Sequence, residues 1–325
     1  MSLGNRNPFR SPTARRTPRA PRWGDRIFLV VTGLAAAGVI ALLIALVVVL
    51  YDGSKSTIQI LGFTFLYGHV WNPGGNVYGV VPFLIGTVLT STLALLIGIP
   101  LSLGAAIFLT QQAPPWLRAP VSQVIELLAA IPSIVYGFWG LIILVPIMRL
   151  DIDPLLKEFL GWTGLFSGNA IGIDVLTASL VLSIMTIPTI TAISRDSIAA
   201  VPRSQKEAAL SLGATDWEVT RSAVLPYARS GIIAGIVLGL GRALGETMAV
   251  TLVIGNSNYL PTSLFSQGQT IASLIANDFF EQAGPLELSA LIEAGLILLV
   301  LTLAINIGAR VILARFQAGR GVGAE

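Results

Sequence analysis

No cysteine occurs in the 325 residues, and histidine occurs once, as His69. Disulfide frameworks, thiolate nucleophiles and multi-histidine metal centres are therefore excluded. Charge is scarce as well: Asp, Glu, Lys and Arg make up 11% of the chain, where a soluble domain carries about 25%. Lysine is confined to Lys55, Lys157 and Lys206, and none of them follows a glycine. The Gly-Lys-Ser/Thr loop that cradles a nucleotide phosphate is thus missing. Apolar residues, by contrast, are 54% of the chain and the mean hydropathy is +0.79. Such a composition belongs to a membrane protein, acting through backbone, carboxylates, hydroxyls and arginine.

A spanning helix needs roughly 20 mostly apolar residues, because at about 1.5 Å per residue that crosses a hydrocarbon core near 30 Å thick. The sequence predicts six, over 27–50, 80–110, 121–148, 171–194, 230–254 and 286–312. The first is longer than the apolar region of a signal peptide and no small-residue cleavage site follows it, so it reads as a retained anchor. Lys and Arg fix the orientation, since short cytoplasmic loops carry the excess. With the N-terminus inside, the cytoplasm receives seven arginines from Arg6 to Arg26, then Arg118, then Arg195, Arg203, Lys206, Arg221 and Arg229, then Arg310, Arg315 and Arg320. The opposite side keeps only Lys55, Arg149 and Lys157. Both termini are expected in the cytoplasm. The domain plan is a disordered basic tail over 1–26, resting on anionic headgroups, a first helix over 27–50 and an external loop over 51–79. A five-helix core follows over 80–312 with a cytoplasmic loop at 195–229, and a cytoplasmic tail over 313–325. Pro100, Pro132, Pro146 and Pro188 fall within or at the ends of apolar segments, where breaks are expected.

The loop over 195–229 is punctuated as two short helices. Pro202 suits a first helical position, Lys206-Glu207-Ala208-Ala209-Leu210 are strong helix formers, and Gly213 ends them. Thr215 and Glu218 fit a capping box, and Pro226 closes the second helix. The resulting finger has a small Ala208/Ala209 face that another protein can approach closely, and an ordinary interfacial helix pair fits the local pattern equally.

Arg242 and Glu246 lie midway along the fifth apolar segment, where an ionised side chain costs about 2.5–3.5 kcal/mol on the translocon scale. Spaced by four, they share a helix face and can pair. At about 100° per residue, Gly231, Gly235, Gly239, Arg242 and Glu246 fall on one stripe about 80° wide, which should face protein or a pore. Either the pair clamps two helices, or its guanidinium receives a tetrahedral oxyanion. Glu126 reads as a cap or salt-bridge partner near the cytoplasmic side, and Asp174 and Glu293 as solvated outer helix ends. His69, without a second ligand of its kind, has no metal partner.

Glu207-Ala208-Ala209, Gly213 and the Ala223-Val224-Leu225-Pro226 run together resemble the "EAA" loop of binding-protein-dependent ABC importer permeases, with Ala223 where that pattern has Ile. Trp71-Asn-Pro, Tyr78-Gly-Val-Val-Pro, Gly86-Thr87, Glu126-Leu-Leu-Ala-Ala-Ile-Pro-Ser133 and Arg242-Ala-Leu-Gly-Glu246 narrow the likeness. Together they resemble Pst-type phosphate permeases, and in that pair the subunit with the longer external loop. The resemblance implies an all-α, six-helix permease of the type I ABC importer fold, in the cytoplasmic membrane. It implies a second homologous permease, two cytoplasmic ATPases that bind the ATP and Mg²⁺, and an extracytoplasmic phosphate-binding protein; this chain itself would hold no cofactor, have no catalytic site and contact lipid but no nucleic acid. Glu207, Ala208, Ala209 and Gly213 would take the ATPase-docking role, and Arg242 and Glu246 the passage of phosphate. Arg-Ala-x-Gly-Glu also recurs in sulfate and molybdate permeases, so a permease for another oxyanion (molybdate, sulfate or phosphonate) is the alternative. A secondary transporter using Arg242/Glu246 would need no ATPase, and no duplicated half of the sequence supports one.

Overall fold

A computed structural model describes residues 23–318 apart from 283. Most of the basic tail expected over 1–26, and the end of the chain beyond 318, lie outside these residues. The chain forms two units, Met1–Val49 and Leu50–Glu325. The described part of the first is one uninterrupted apolar helix.

The helices, in chain order, are α1 (Trp23–Ile60), α2 (Thr64–Tyr67), α3 (Val81–Ile107), α4 (Pro115–Ala130), α5 (Ser133–Trp139), α6 (Val145–Ile147) and α7 (Asp153–Leu160). They continue with α8 (Val175–Ala199), α9 (Arg203–Ser211), α10 (Asp216–Val219), α11 (Leu225–Leu244), α12 (Met248–Val253), α13 (Ile271–Asp278) and α14 (Pro285–Ala318). Wider-wound π-type turns join several of them, so that six stretches are long and apolar enough to cross a membrane: Trp23–Ile60, Val81–Gln112, Ser133–Thr163, Val175–Ala199, Asp216–Leu244 and Pro285–Val311. No strand occurs among the described residues.

The third stretch departs from the expected 121–148. Ile131 and Pro132 are extended, ending α4 one residue earlier at Ala130. A proline disfavours helical backbone in the residue before it, and here that preference separates α4 from the span. Elsewhere proline does not break the helix: Pro100 and Pro188 lie inside unbroken α3 and α8. At their crossing the Ser102 hydroxyl donates to the carbonyl of Ile187 at 3.3 Å, and Thr191 donates to the carbonyl of Ser102 at 3.4 Å. These hydroxyl bonds tie the two helices together close to each ring.

α8 is the axis of the second unit, with α3 and α11 packed along it. Burial from lipid offers little hydrophobic drive, so close approach of small residues must hold spans together. The buried side chains of α8 include Thr177, Ser179, Ser183, Thr186, Thr191 and Ser194. On α11, a Cβ added at Gly231 would run into Ser197, one at Gly235 would lie 3.2 Å from Ile193, and one at Gly239 would lie 2.7 Å from Ile190. The glycine stripe therefore faces α8.

At one end Trp71 packs edge-on against Tyr78 (ring centroids 5.0 Å apart) and Phe83 (5.3 Å), over Phe65. Gly86 and Thr87 have structural work here: a Cβ at Gly86 would fall on the carbonyl of Gln269, and Thr87 Oγ1 accepts a hydrogen bond from Ile271 N at 3.0 Å, capping α13. Nearby, the Ser289 hydroxyl donates to Gly53 O at 2.8 Å and accepts from Thr57 N at 3.2 Å, which fastens the end of α1 to α14.

Candidate functional site

The expected continuous fifth helix is interrupted between the two charged residues. α11 ends at Leu244, and α12 begins at Met248. Glu246, in the break, turns toward α12, and its Oε1 accepts a hydrogen bond from Ala249 N at 3.2 Å. A carboxylate there satisfies a first-turn N–H and the positive end of the helix dipole. Arg242 points elsewhere: its Nη1 donates to Thr189 Oγ1 on α8 at 3.1 Å. No ion pair joins Arg242 and Glu246, and no carboxylate pairs with Arg242 among the described residues. The pairing suggested by their spacing is thus corrected, because the wheel angle assumed a helix that Gly245 interrupts.

Arg242 and Thr189 border a cavity of about 880 Å³ between α11 and α14. Asn306 and Arg310 of α14 join them, with Leu238 and Leu303 as apolar wall. The cavity thus brings two guanidiniums, an amide and a hydroxyl together in an apolar lining, and every polar group but the carbonyl of Asn306 can donate a hydrogen bond. Thr189, Asn306 and Arg310 were not singled out from sequence. Arg310 counted only as a cytoplasmic charge, and no spacing rule links α8 to α14.

The finger is built as its punctuation predicts, with two amendments. Pro202 is the residue before α9 and not its first. Pro226 does not close the second helix, because α10 runs through a π-type turn (Thr220–Val224) into α11. The capping box is present: Thr215 N donates to Glu218 Oε2 at 2.8 Å and Glu218 N donates to Thr215 Oγ1 at 3.4 Å. Glu207 and Ala208 are exposed, Ala209 packs against a buried cluster of Ala106, Ile198, Val219 and Val224, and Gly213 turns the chain at φ +83° with open space around it. At the tip Leu212 is 89% exposed and Trp217 60%. A finger rooted in the helices and apolar at its tip is suited to receive a partner.

Glu126 does meet Arg195, at 3.0 Å, and Asp196 lies 2.8 Å from the same guanidinium. Asp174 and Glu293 are not solvated ends. Glu293 is buried, and Asp174 is fully buried, its Oδ1 accepting from Thr177 N at 2.8 Å as the cap of α8. Burial pushes the Asp174 carboxyl up, opposed by the N–H groups of Thr177 and Leu176. His69 lines a cavity of about 550 Å³ with Trp71, Asn72, Asn256 and Gln267.

Residues 98–318 match the family model described as "Binding-protein-dependent transport system inner membrane component". The chain is 49% identical over 301 residues to "Phosphate transport system permease protein PstC" of Pasteurella multocida, covering 91% of this chain and 94% of that protein. The protein of the same description from Haemophilus influenzae is 47% identical over 303 residues, covering 92% and 96%. Among solved structures, one described as a bacterial ABC transporter involved in the import of the acidic polysaccharide alginate aligns over 89% of this chain and 99% of that one. Its TM-score is 0.55 and its identity 17%, a likeness of fold alone. The fold is that of the type I ABC importer permeases.

Proposed function

The chain belongs to the family of binding-protein-dependent transport system inner membrane components, and we propose that within it the chain is the permease subunit through which an ATP-driven importer carries inorganic phosphate across the cytoplasmic membrane. One observation carries the reading: Arg242, in a membrane-spanning helix, has no carboxylate partner among the described residues and borders a cavity with Arg310, Asn306 and Thr189. A guanidinium kept without a counter-charge in an apolar span is costly. A passing dianion would offset that cost, and the guanidinium's planar fork suits two oxygens of one phosphate. The description borne by the relatives at 46–49% identity supports phosphate over other oxyanions.

Energy would enter at the finger. ATP and Mg²⁺ would be held by two cytoplasmic ATPase subunits, whose closure on nucleotide supplies the work, while this chain performs no hydrolysis. Glu207, Ala208 and Ala209 would form the docked helix, with Gly213 as its turn. Because α10 is continuous with α11, a displacement of the finger reaches Arg242 along one helical rod, and the break at 245–247 is where that rod can bend against α12. A second, homologous permease would complete the pathway, and an extracytoplasmic phosphate-binding protein would deliver the ion to the face bearing Trp71 and His69. Both termini would lie in the cytoplasm, following the Lys/Arg distribution.

The test is the purified complex in lipid nanodiscs with its binding protein. Phosphate should stimulate ATP hydrolysis, and sulfate, molybdate and phosphonates should not. Stimulation by one of those others alone would transfer the reading to that oxyanion, and phosphate uptake by this chain without any ATPase would remove the importer mechanism.

A further inference from the structure

A second basic cavity, of about 380 Å³, lies at the base of the finger and is separate from the one beside Arg242. Its wall brings together Arg118 and Ser122 of α4, Arg195 of α8, Arg203 and Lys206 of α9, and Thr110. Arg195 is paired with two carboxylates, Glu126 and Asp196, so four cations stand against two anions and the wall keeps a net excess of two positive charges. The other three cations meet no carboxylate among the described residues. Arg118 Nη2 donates to the Ala113 carbonyl at 3.2 Å and Lys206 Nζ to the Gln111 amide oxygen at 3.3 Å, both neutral acceptors. Nor does the first turn of α9 carry an acidic residue, as a helix N-terminus commonly would.

We propose that this cavity binds a phosphate group on the finger side of the membrane, held by Arg118, Arg203 and Lys206 with the Ser122 hydroxyl as a further donor. Like charges converging on a concave surface repel one another, and such an arrangement persists where an anion occupies the centre. Burial, together with the charges of Arg118 and Arg203, lowers the Lys206 ammonium from its ordinary value, which agrees with an uncompensated cluster. Three cations converging on one point suit the tetrahedral array of oxygens of a phosphate group better than a single planar carboxylate. Because the site adjoins α9, whose other residues include Glu207, Ala208 and Ala209, its occupancy would bear on how the finger is held. The group has two sources, free inorganic phosphate and the headgroup of an anionic lipid, and the same chemistry recognises both.

The chain's three lysines make the test direct. An amine-acylating reagent, read by peptide mass spectrometry, reports Lys206 while Lys55 and Lys157 serve as internal controls. The full transporter complex, in neutral detergent and phosphate-free buffer, is labelled alone, with inorganic phosphate, or with phosphatidylglycerol micelles. Protection of Lys206 but not the controls by inorganic phosphate identifies the free ion, and protection by phosphatidylglycerol without added phosphate identifies the lipid; either supports the proposal. In Arg118→Gln or Arg203→Gln the protecting concentration should rise about tenfold, the value of one charged hydrogen bond. Unchanged labelling of Lys206 under both anions would overturn the proposal. So would protection that depends on the ATPase subunits with neither anion present, since a partner's carboxylates would then fill the cavity.

Discussion

If Glu246 caps α12 and Arg242 does not pair with it, the two residues should be energetically independent, and Arg242→Gln, Glu246→Gln and the double variant measure that. In Arg242→Gln the bond to Thr189 is lost, a charged hydrogen bond of about 1.5–3 kcal/mol. The same change relieves the cost of a charge in the last turn of the span, at most about 2.5–3.5 kcal/mol, the value at a helix centre. The two nearly cancel, so this variant should unfold close to wild type. Glu246→Gln keeps an acceptor for Ala249 N but removes a charge from the start of α12, a loss of about 0.3–1 kcal/mol. The double variant should equal the sum of the singles to within about 0.3–0.5 kcal/mol. An ion pair would behave otherwise, with Arg242→Gln alone costing about 3–5 kcal/mol through the stranded carboxylate and the double variant recovering most of it. Unfolding of the purified permease in mixed micelles with increasing dodecyl sulfate, followed by tryptophan fluorescence, supplies the four free energies. Strong destabilisation of the first single with rescue in the double would refute the assignment of Glu246 as a cap.

Gly86→Ala should destabilise by about 1–3 kcal/mol, the usual cost of overpacking, because its Cβ would meet the Gln269 carbonyl and not a movable side chain; the same unfolding titration reads it, and a wild-type midpoint would contradict the packing. Gly213→Trp, at a turn with φ +83° on the exposed finger, should abolish phosphate-stimulated ATP hydrolysis while the chain still inserts, and wild-type coupling in that variant would sink the docking role. The native chain has no cysteine, so single cysteines report topology cleanly: Asn76→Cys and Gln267→Cys should react with an impermeant thiol reagent in intact cells and Thr215→Cys should not. Labelling at residue 215 in sealed cells would reverse the orientation.

Features set by neighbouring residues were legible in the sequence. The capping box of Thr215 and Glu218 needs only a hydroxyl and a carboxylate three residues apart, and it forms as read. The glycines spaced by four on α11 announced a close helix contact, and Ser197, Ile193 and Ile190 of α8 fill it. The interruption after Leu244 was not read, because apolar runs on both sides of the charges make 230–254 look like one segment and the i,i+4 spacing of Arg242 and Glu246 invites a pair. The signal that could have revealed it is Gly245 followed by Glu246 and Thr247, a helix end beside residues that start one. The juxtaposition of Arg242 with Arg310, and of Thr189 with both, depends on three helices far apart in sequence. The burial of Asp174 was missed for a related reason: a polar residue at the end of an apolar run looks solvated until the loop covering it is known.

The most direct test of phosphate passage beside Arg242 is phosphate uptake by proteoliposomes holding the complex with Arg242→Lys, at matched amounts of assembled complex. Lysine keeps the charge and loses the planar fork. The geometry predicts a fall of about tenfold or more, since at least one charged hydrogen bond to the passing ion is lost, with binding-protein docking unchanged. Uptake at the wild-type rate would contradict it and leave Arg242 a structural partner of Thr189.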